Sequence, residues 1–335
     1  METWLITGGL GFIGSHFIRH LLGQKPDLRV INLDKITYAA NHENLSDLAE
    51  HPHYEFHQGD IAEPKDVRPL IERVDLVVNF AAETHVDRSI GDPASFIRTD
   101  MLGVHVLLEA ARESSIRRFV QVSTDEVYGE AEQKPSTEED PLMPKSPYAA
   151  SKAGGDRLAF AYFATYGTPV VITRCSNNYG PFQYPEKMIP LFITNAMEDK
   201  PLPVYGDGLN SRDWIHVEDH CRALELLAQA PGIEGEIFNI GTGEERTILE
   251  MARVILKTLE KPEDLIRSVT DRPGHVRRHA VAAKKLQRRL GWSPKVTLEE
   301  DLPKTVRWYV ENPGWWRPIR DGEFRAYYER MYANR

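Results

Sequence analysis

Three glycines spaced three apart near the N-terminus constrain this chain more than any other feature. The run Thr7-Gly8-Gly9-Leu10-Gly11-Phe12-Ile13-Gly14 places Gly8, Gly11 and Gly14 after a short apolar stretch, Trp4-Leu5-Ile6-Thr7. Beyond it Phe17, Ile18, Leu21 and Leu22 recur at helical spacing. A strand, a glycine turn and a helix in that order make a phosphate cradle. Without side chains the backbone turns tightly, approaches a pyrophosphate and presents helix amides to its charge. Asp34 closes a second apolar run, 29–34, about 20 residues after Gly14, where such turns carry an acid that accepts both ribose hydroxyls of NAD and repels a 2′-phosphate. Lys35 beside it leaves room for some NADP.

Strand-like runs recur at 54–58, 76–80, 119–123 and 169–174, with helical patterns between them that include 94–112 and 148–166. Alternation of this kind implies a parallel sheet covered on both faces. The expected fold is therefore α/β, a Rossmann-like doubly wound parallel sheet. After Arg174 the pattern gives way to segments rich in proline and aromatics, 179–185 and 199–204, which read as ligand-facing loops on a scaffold. One more strand, 235–241, is expected to return to the main sheet. The rest reads as helical and basic up to Arg289, then closes with Trp292, Trp308, Trp315 and Trp316. The expected division is a dinucleotide-binding domain over 1–176 and a smaller C-terminal substrate-binding lobe over 177–335.

The chain carries 41 Lys+Arg against 50 Asp+Glu, a net charge of −9, the wrong sign for a nucleic-acid partner. An anionic ligand must then be gripped by a few local arginines. Cys175 and Cys221 are too few and too far apart for a metal or disulfide framework and read as reduced thiols. His57, His105 and His279 show no ligand spacing, so no metal is expected. With neither a charged-then-apolar leader nor an apolar run of membrane-spanning length, the expected location is the cytoplasm, with no membrane partner. Tyr327, Tyr328 and Tyr332 are expected on a helix packed against the core.

Tyr148-Ala149-Ala150-Ser151-Lys152 sets a phenol and an ammonium one helical turn apart on one face. A tyrosine works as a base near neutral pH only if its pKa is depressed, and a neighbouring Lys⁺ is expected to do that. Upstream, the 119–123 strand runs into Thr124-Asp125-Glu126-Val127-Tyr128-Gly129, so a hydroxyl and two carboxylates arrive beyond a strand's carboxyl end, where open parallel sheets bind ligands. Adjacent residues on a strand point to opposite faces. Asp125 and Glu126 can share a site only if the strand breaks there, and burial with mutual repulsion should then leave one protonated and one ionised. The alternative is that either acid caps the following turn.

These residues resemble the extended short-chain dehydrogenases, and within them the nucleotide-sugar 4,6-dehydratases of the dTDP-glucose type. The likeness rests on the glycine turn, Asp34, Ala81-Ala82-Glu83-Thr84-His85-Val86-Asp87-Arg88-Ser89, the Thr124–Gly129 run and the Tyr148/Lys152 pair. Arg174-Cys175-Ser176-Asn177-Asn178-Tyr179-Gly180-Pro181, Pro185-Glu186-Lys187-Met188-Ile189-Pro190, Arg212-Asp213-Trp214 and Asp271-Arg272-Pro273-Gly274-His275 extend it nearly end to end. The resemblance implies NAD as cofactor, lined by Gly8, Gly11, Phe12, Ile13, Gly14, Asp34, Lys35, Thr37, Asp60, Ile61, Ala81, Ala82, Glu83, Thr99 and Asn178 together with Tyr148 and Lys152. It implies a nucleotide sugar held by Thr84, His85, Thr124, Asn177, Lys187, Met188, Pro203, Val204, Tyr205, Arg212, Asp271, Arg272, His275 and Arg277. Arg212 and Arg277 are the expected diphosphate ligands, since a guanidinium grips phosphate bidentately.

The chemistry implied is oxidation at C4 with Tyr148 taking the hydroxyl proton, removal of the C5 proton by Glu126, loss of the C6 hydroxyl with a proton from Asp125, and return of the hydride to C6 and of a proton to C5. Helices 94–112 and 148–166 resemble the pair that forms a homodimer interface in this family. The chain departs from the family pattern at Ile248, where an asparagine reaching the nucleotide is expected. Ile248 cannot make that hydrogen bond, so both dTDP- and UDP-linked hexoses stay open. A 4-epimerase or decarboxylase of the same fold needs the Tyr–Lys pair without the acid couple, and a silent NAD sensor needs only the glycine turn.

Overall fold

Strand and helix alternate through the first half of the computed structural model, which describes residues 1–322, 324, 326 and 328. β1 (Glu2–Thr7) leads through the glycine turn into α1 (Phe12–Gln24), followed by β2 (Leu28–Asp34), β3 (Tyr54–Gln58), α2 (Pro64–Ile71) and β4 (Leu76–Asn79). Two short helices, α3 (Val86–Gly91) and α4 (Pro93–Ile97), precede a π-helical stretch over Arg98–Gly103 and α5 (Val104–Glu113). β5 (Arg118–Thr124), α6 (Pro147–Tyr166) and β6 (Val170–Cys175) complete this half. Beyond it lie β7 (Asn177–Tyr179), α7 (Met188–Met197), β8 (Leu202–Tyr205), β9 (Ser211–His216), α8 (Val217–Gln229), β10 (Ile237–Ile240), β11 (Glu245–Thr247) and α9 (Ile248–Thr258). β12 (Ile266–Val269), β13 (Arg278–His279), α10 (Lys284–Leu290), α11 (Leu298–Glu311) and α12 (Pro313–Asp321) follow.

Seven parallel strands form the main sheet in the order β10-β6-β5-β4-β1-β2-β3. The period of two along each strand splits the core. Trp4 and Ile6 of β1 face α1 and α8, while Leu5 faces α2 and α5. Strands buried on both faces explain why β1, β4 and β6 read as apolar runs rather than alternating ones. The returning strand expected at 235–241 is β10, which pairs in parallel with β6. Strand order reverses between β1 and β4, and this switch point opens the crevice in which a doubly wound sheet holds its ligand. A separate apolar core, built on Phe192, Trp214, Ile255, Tyr309 and Trp316, supports the C-terminal lobe and its small sheets, β11-β9-β13 and β12-β8.

Two stretches differ from the sequence reading. The helix expected over 94–112 is interrupted by the π-helical turn, where buried Asp100 accepts hydrogen bonds from Glu83 N (3.0 Å) and Ser151 Oγ (2.6 Å). Those tertiary bonds widen the helix locally. The helical reading up to Arg289 fails over 259–283, where Pro262, Pro273 and Gly274 stop the helix and β12 pairs with β8 instead. Tyr328 packs on the lobe's core as expected, whereas Tyr327 and Tyr332 lie outside the described residues. No helix among the described residues is long and apolar enough to cross a membrane.

Candidate active site

A cavity of about 420 Å³ runs along the carboxyl ends of the main sheet and under the C-terminal lobe. Its first half is the glycine turn. Gly8 has φ +69°, and a Cβ there would sit 2.8 Å from Ala81 N; a Cβ on Gly14 would lie 2.3 Å from Gly8 O. The backbone is thus closely packed against itself while staying bare toward the cavity. Asp34 ends β2 with its carboxylate accepting from Leu10 N (2.9 Å) and Ile36 N (2.8 Å), and burial raises its pKa. Lys35 pairs with Asp60 at 2.9 Å. Every residue expected to line the cofactor borders this cavity.

The acid–base cluster sits where β5 ends. A 3₁₀ turn over Asp125–Tyr128 breaks the strand directly after Thr124, whose hydroxyl accepts from Glu126 N (3.3 Å) and donates to Asp125 Oδ1 (3.3 Å). Gly129 at φ +74° packs so close to Met143 O that a Cβ would fall 2.2 Å from it, which fixes the break. Both carboxylates therefore reach one cavity. Asp125 is buried, its Oδ2 has no hydrogen-bond partner, and its pKa is raised well above the carboxylate range by burial, then by the charges of Glu126 and Asp213.

Ser146 caps α6, accepting from Ala149 N, and so sets the helix's first turns against β5. Tyr148 hydrogen-bonds Thr124, and Lys152 Nζ donates to Val122 O at 2.9 Å. The expected depression of the Tyr148 phenol is corrected here. Burial lifts its pKa well above 10, and the charges of Glu126 and Asp100 lift it further.

The second half of the cavity is cationic in an acidic protein. Lys187 is half-buried and donates to Thr84 Oγ1 at 2.8 Å, with desolvation lowering its pKa. Arg212 is 6% exposed, its guanidinium donating to Val276 O (3.0 Å) and Ser211 O (2.7 Å). Arg272, His275 and Tyr205 complete this wall, and His85 adopts φ +109°, a conformation rarely held by a side-chain-bearing residue and one that clusters at ligand sites.

Three residues named with this group lie off the cavity wall. Arg277 is half exposed and pairs with Asp207 at 2.6 Å, so its guanidinium is turned away and Arg272 stands beside Arg212 instead. Val204 is buried in the lobe's core, and Asp271 sits outside, where its Oδ1 lies 2.6 Å from His275 Nδ1. Ile248 is on the wall. Sequence reasoning missed Asp87, Leu191, Phe192 and Trp214, which also border the cavity. Periodicity could have found three of them. Leu191 and Phe192 follow Met188 by three and four residues on α7, and Trp214 follows Arg212 by two on β9.

A family model described as GDP-mannose 4,6 dehydratase matches residues 5–305. A dTDP-glucose 4,6-dehydratase from Streptomyces niveus is 50% identical over 94% of this chain and 95% of its own length. One from Neisseria meningitidis is 46% identical over 97% of this chain and 98% of its own. Among solved structures, dTDP-glucose 4,6-dehydratase from Streptomyces venezuelae with NAD and TYD bound superposes with a TM-score of 0.93 at 48% identity, covering 95% of this chain and all of that one. UDP-glucuronic acid 4-epimerase from Bacillus cereus, solved with its substrate and NAD, reaches 0.88 at 28% identity, covering 92% of this chain and 99% of that one. With the glycine turn, the Tyr148/Lys152 pair and the acid couple in one cavity, the chain belongs to the GDP-mannose 4,6 dehydratase family, among the nucleotide-sugar 4,6-dehydratases of the extended short-chain dehydrogenases.

Proposed function

We propose that the protein is an NAD-dependent dTDP-glucose 4,6-dehydratase, a hydro-lyase that forms the 4-keto-6-deoxy sugar. The observation that carries this reading is the convergence of Asp125, Glu126, Tyr148 and Lys152 on one cavity beside the glycine turn. The bare backbone at Gly8 and Gly14 and the acid at Asp34 suit a dinucleotide's pyrophosphate and ribose. NAD bound there would take hydride from C4 and give it back to C6.

The chain's own groups move the protons. Tyr148 Oη, held by Thr124, takes the C4 hydroxyl proton as the phenolate, the form that the Lys152 ammonium one turn along α6 favours against burial. Asp125, neutral because it is buried, gives its proton to the departing C6 oxygen, and Glu126 takes the proton from C5 and returns it there as hydride reaches C6. Each positioned transfer is worth ~10²–10⁴-fold. Arg212, Arg272 and Lys187 supply local positive charge for the diphosphate. The base is the point at which Ile248 counts, and the relatives' dTDP-glucose favours dTDP over UDP.

Incubation with dTDP-glucose, UDP-glucose and UDP-N-acetylglucosamine, followed by mass spectrometry, tests this reading. A product lighter by one water from dTDP-glucose is expected; an isomer of unchanged mass would make the protein an epimerase. NAD and a nucleotide sugar as ligands put its work in the cytoplasm. A homodimer is part of the same proposal: Ile97 (54% exposed), Met101, Leu102, Phe160 and Tyr166 leave apolar side chains on the outer face of the π-helical turn and α6, a surface suited to a second copy.

A further inference from the structure

The C-terminal helices reach the cofactor turn through a relay of hydrogen bonds across the whole chain. Trp315 Nε1 on α12 donates to Asn44 Oδ1 at 2.9 Å, and Asn44 Nδ2 donates to Leu10 O at 2.8 Å. The amide of Leu10, inside the glycine turn, donates to Asp34 Oδ2 at 2.9 Å. Asn44 is 1% exposed, so neither of its polar ends has water to fall back on.

A second contact runs in parallel. Phe182, at φ +62°, packs edge-on against Trp308 (4.7 Å between ring centroids), Trp315 (5.7 Å) and His16 of α1 (5.8 Å). His16 Nε2 lies 2.9 Å from Pro181 O, and its ring packs on Phe12, which borders the cavity. The nucleotide-sugar lobe thus grips the turn and the first helical residue that would hold the dinucleotide.

We propose that Trp315 and Asn44 form a clasp that slows release of the dinucleotide, acting as positioning residues for the glycine turn. This rests on the NAD reading above. A dehydratase that returns the stored hydride to the sugar regenerates NAD within each turnover, so slow release costs it nothing and spares rebinding. Losing one hydrogen bond of the relay should speed release about three- to tenfold.

The test uses NAD-loaded full-length protein and isotopically labelled free NAD, with exchange followed by mass spectrometry of the bound fraction. Trp315→Phe keeps the ring and removes the donor. Asn44→Asp keeps the acceptor for Trp315 and removes the donor to Leu10, breaking the relay at its other end if the first variant fails to fold. Both are expected to exchange faster, the double variant no faster than the quicker single one, with dTDP affinity of the NAD-loaded protein unchanged. Exchange at the wild-type rate in both variants, or a matching loss of dTDP affinity, overturns the clasp while leaving the NAD reading intact. Failure of the wild type to take up NAD overturns both.

Discussion

At the scale of single residues, the environment of Asp125 determines what it can do. One carboxyl oxygen meets Thr124, the other has no hydrogen-bond partner among the described residues, and Glu126 and Asp213 add negative charge nearby, so the folded protein keeps this group neutral above the ordinary carboxylate range. The unfolded chain ionises it first as pH rises, so the native state loses stability from that range upward. Asp125→Asn removes this penalty and keeps the shape. We expect a Tm higher by roughly 2 °C at pH 7 and little changed at pH 4, alongside a ~10²–10⁴-fold lower kcat. Calorimetry at the two pH values checks the first effect, and a wild type that melts higher at pH 7 contradicts it. Glu126→Gln separates the steps differently. It should accumulate absorbance of reduced nicotinamide when mixed with dTDP-glucose, while keto-deoxy product falls ~10²–10⁴-fold. Product at the wild-type rate removes Glu126 as the C5 base.

At the scale of elements, the turn between β1 and α1 works because nothing but hydrogen can occupy certain positions. Gly14→Ala would force a methyl to 2.3 Å from Gly8 O. Overpacking of this kind costs roughly 1–3 kcal/mol, and with the turn displaced NAD affinity should fall on the order of tenfold or more. Calorimetric titration with NAD measures it; unchanged affinity would show that the turn does not touch the cofactor. The break after β5 is the other decisive element. Thr124 closes the strand with its own hydroxyl, and four residues of 3₁₀ helix carry two acids to one side. The residue that caps this turn is Thr124, so the alternative in which Asp125 or Glu126 serves as the cap does not hold.

At the scale of the molecule, the exposed apolar face of the π-helical turn and α6 invites a partner. Phe160→Glu, which buries a charge at the proposed contact, should convert a sedimenting dimer largely to monomer and leave the fold intact by circular dichroism. A wild type that sediments as a monomer ends that proposal. The two lobes also share labour. The sheet supplies the glycine turn and the acid couple, while Lys187 ahead of α7, β9 and the 271–275 loop supply cations that the net charge of −9 could not provide by its overall field.

The chain by itself determined the parallel sheet, the returning strand at β10, the glycine turn with Asp34, and the four residues proposed as catalytic, because each is written in local terms: apolar runs, a glycine spacing, a helical turn between Tyr148 and Lys152. Tertiary structure decided whatever depends on who else is near. Arg277 and Arg272 look equally suited to phosphate, yet Asp207 holds the first while the second reaches the cavity. Lys152 is one turn from Tyr148, but it donates a hydrogen bond to Val122 O, and burial, which no motif records, reverses the expected shift of the phenol. The π-helical turn likewise follows from Asp100 finding Glu83 and Ser151, partners 17 and 51 residues away. Charge and hydrogen bonding act through space, so spacing along the chain shows which groups are available, and packing chooses among them.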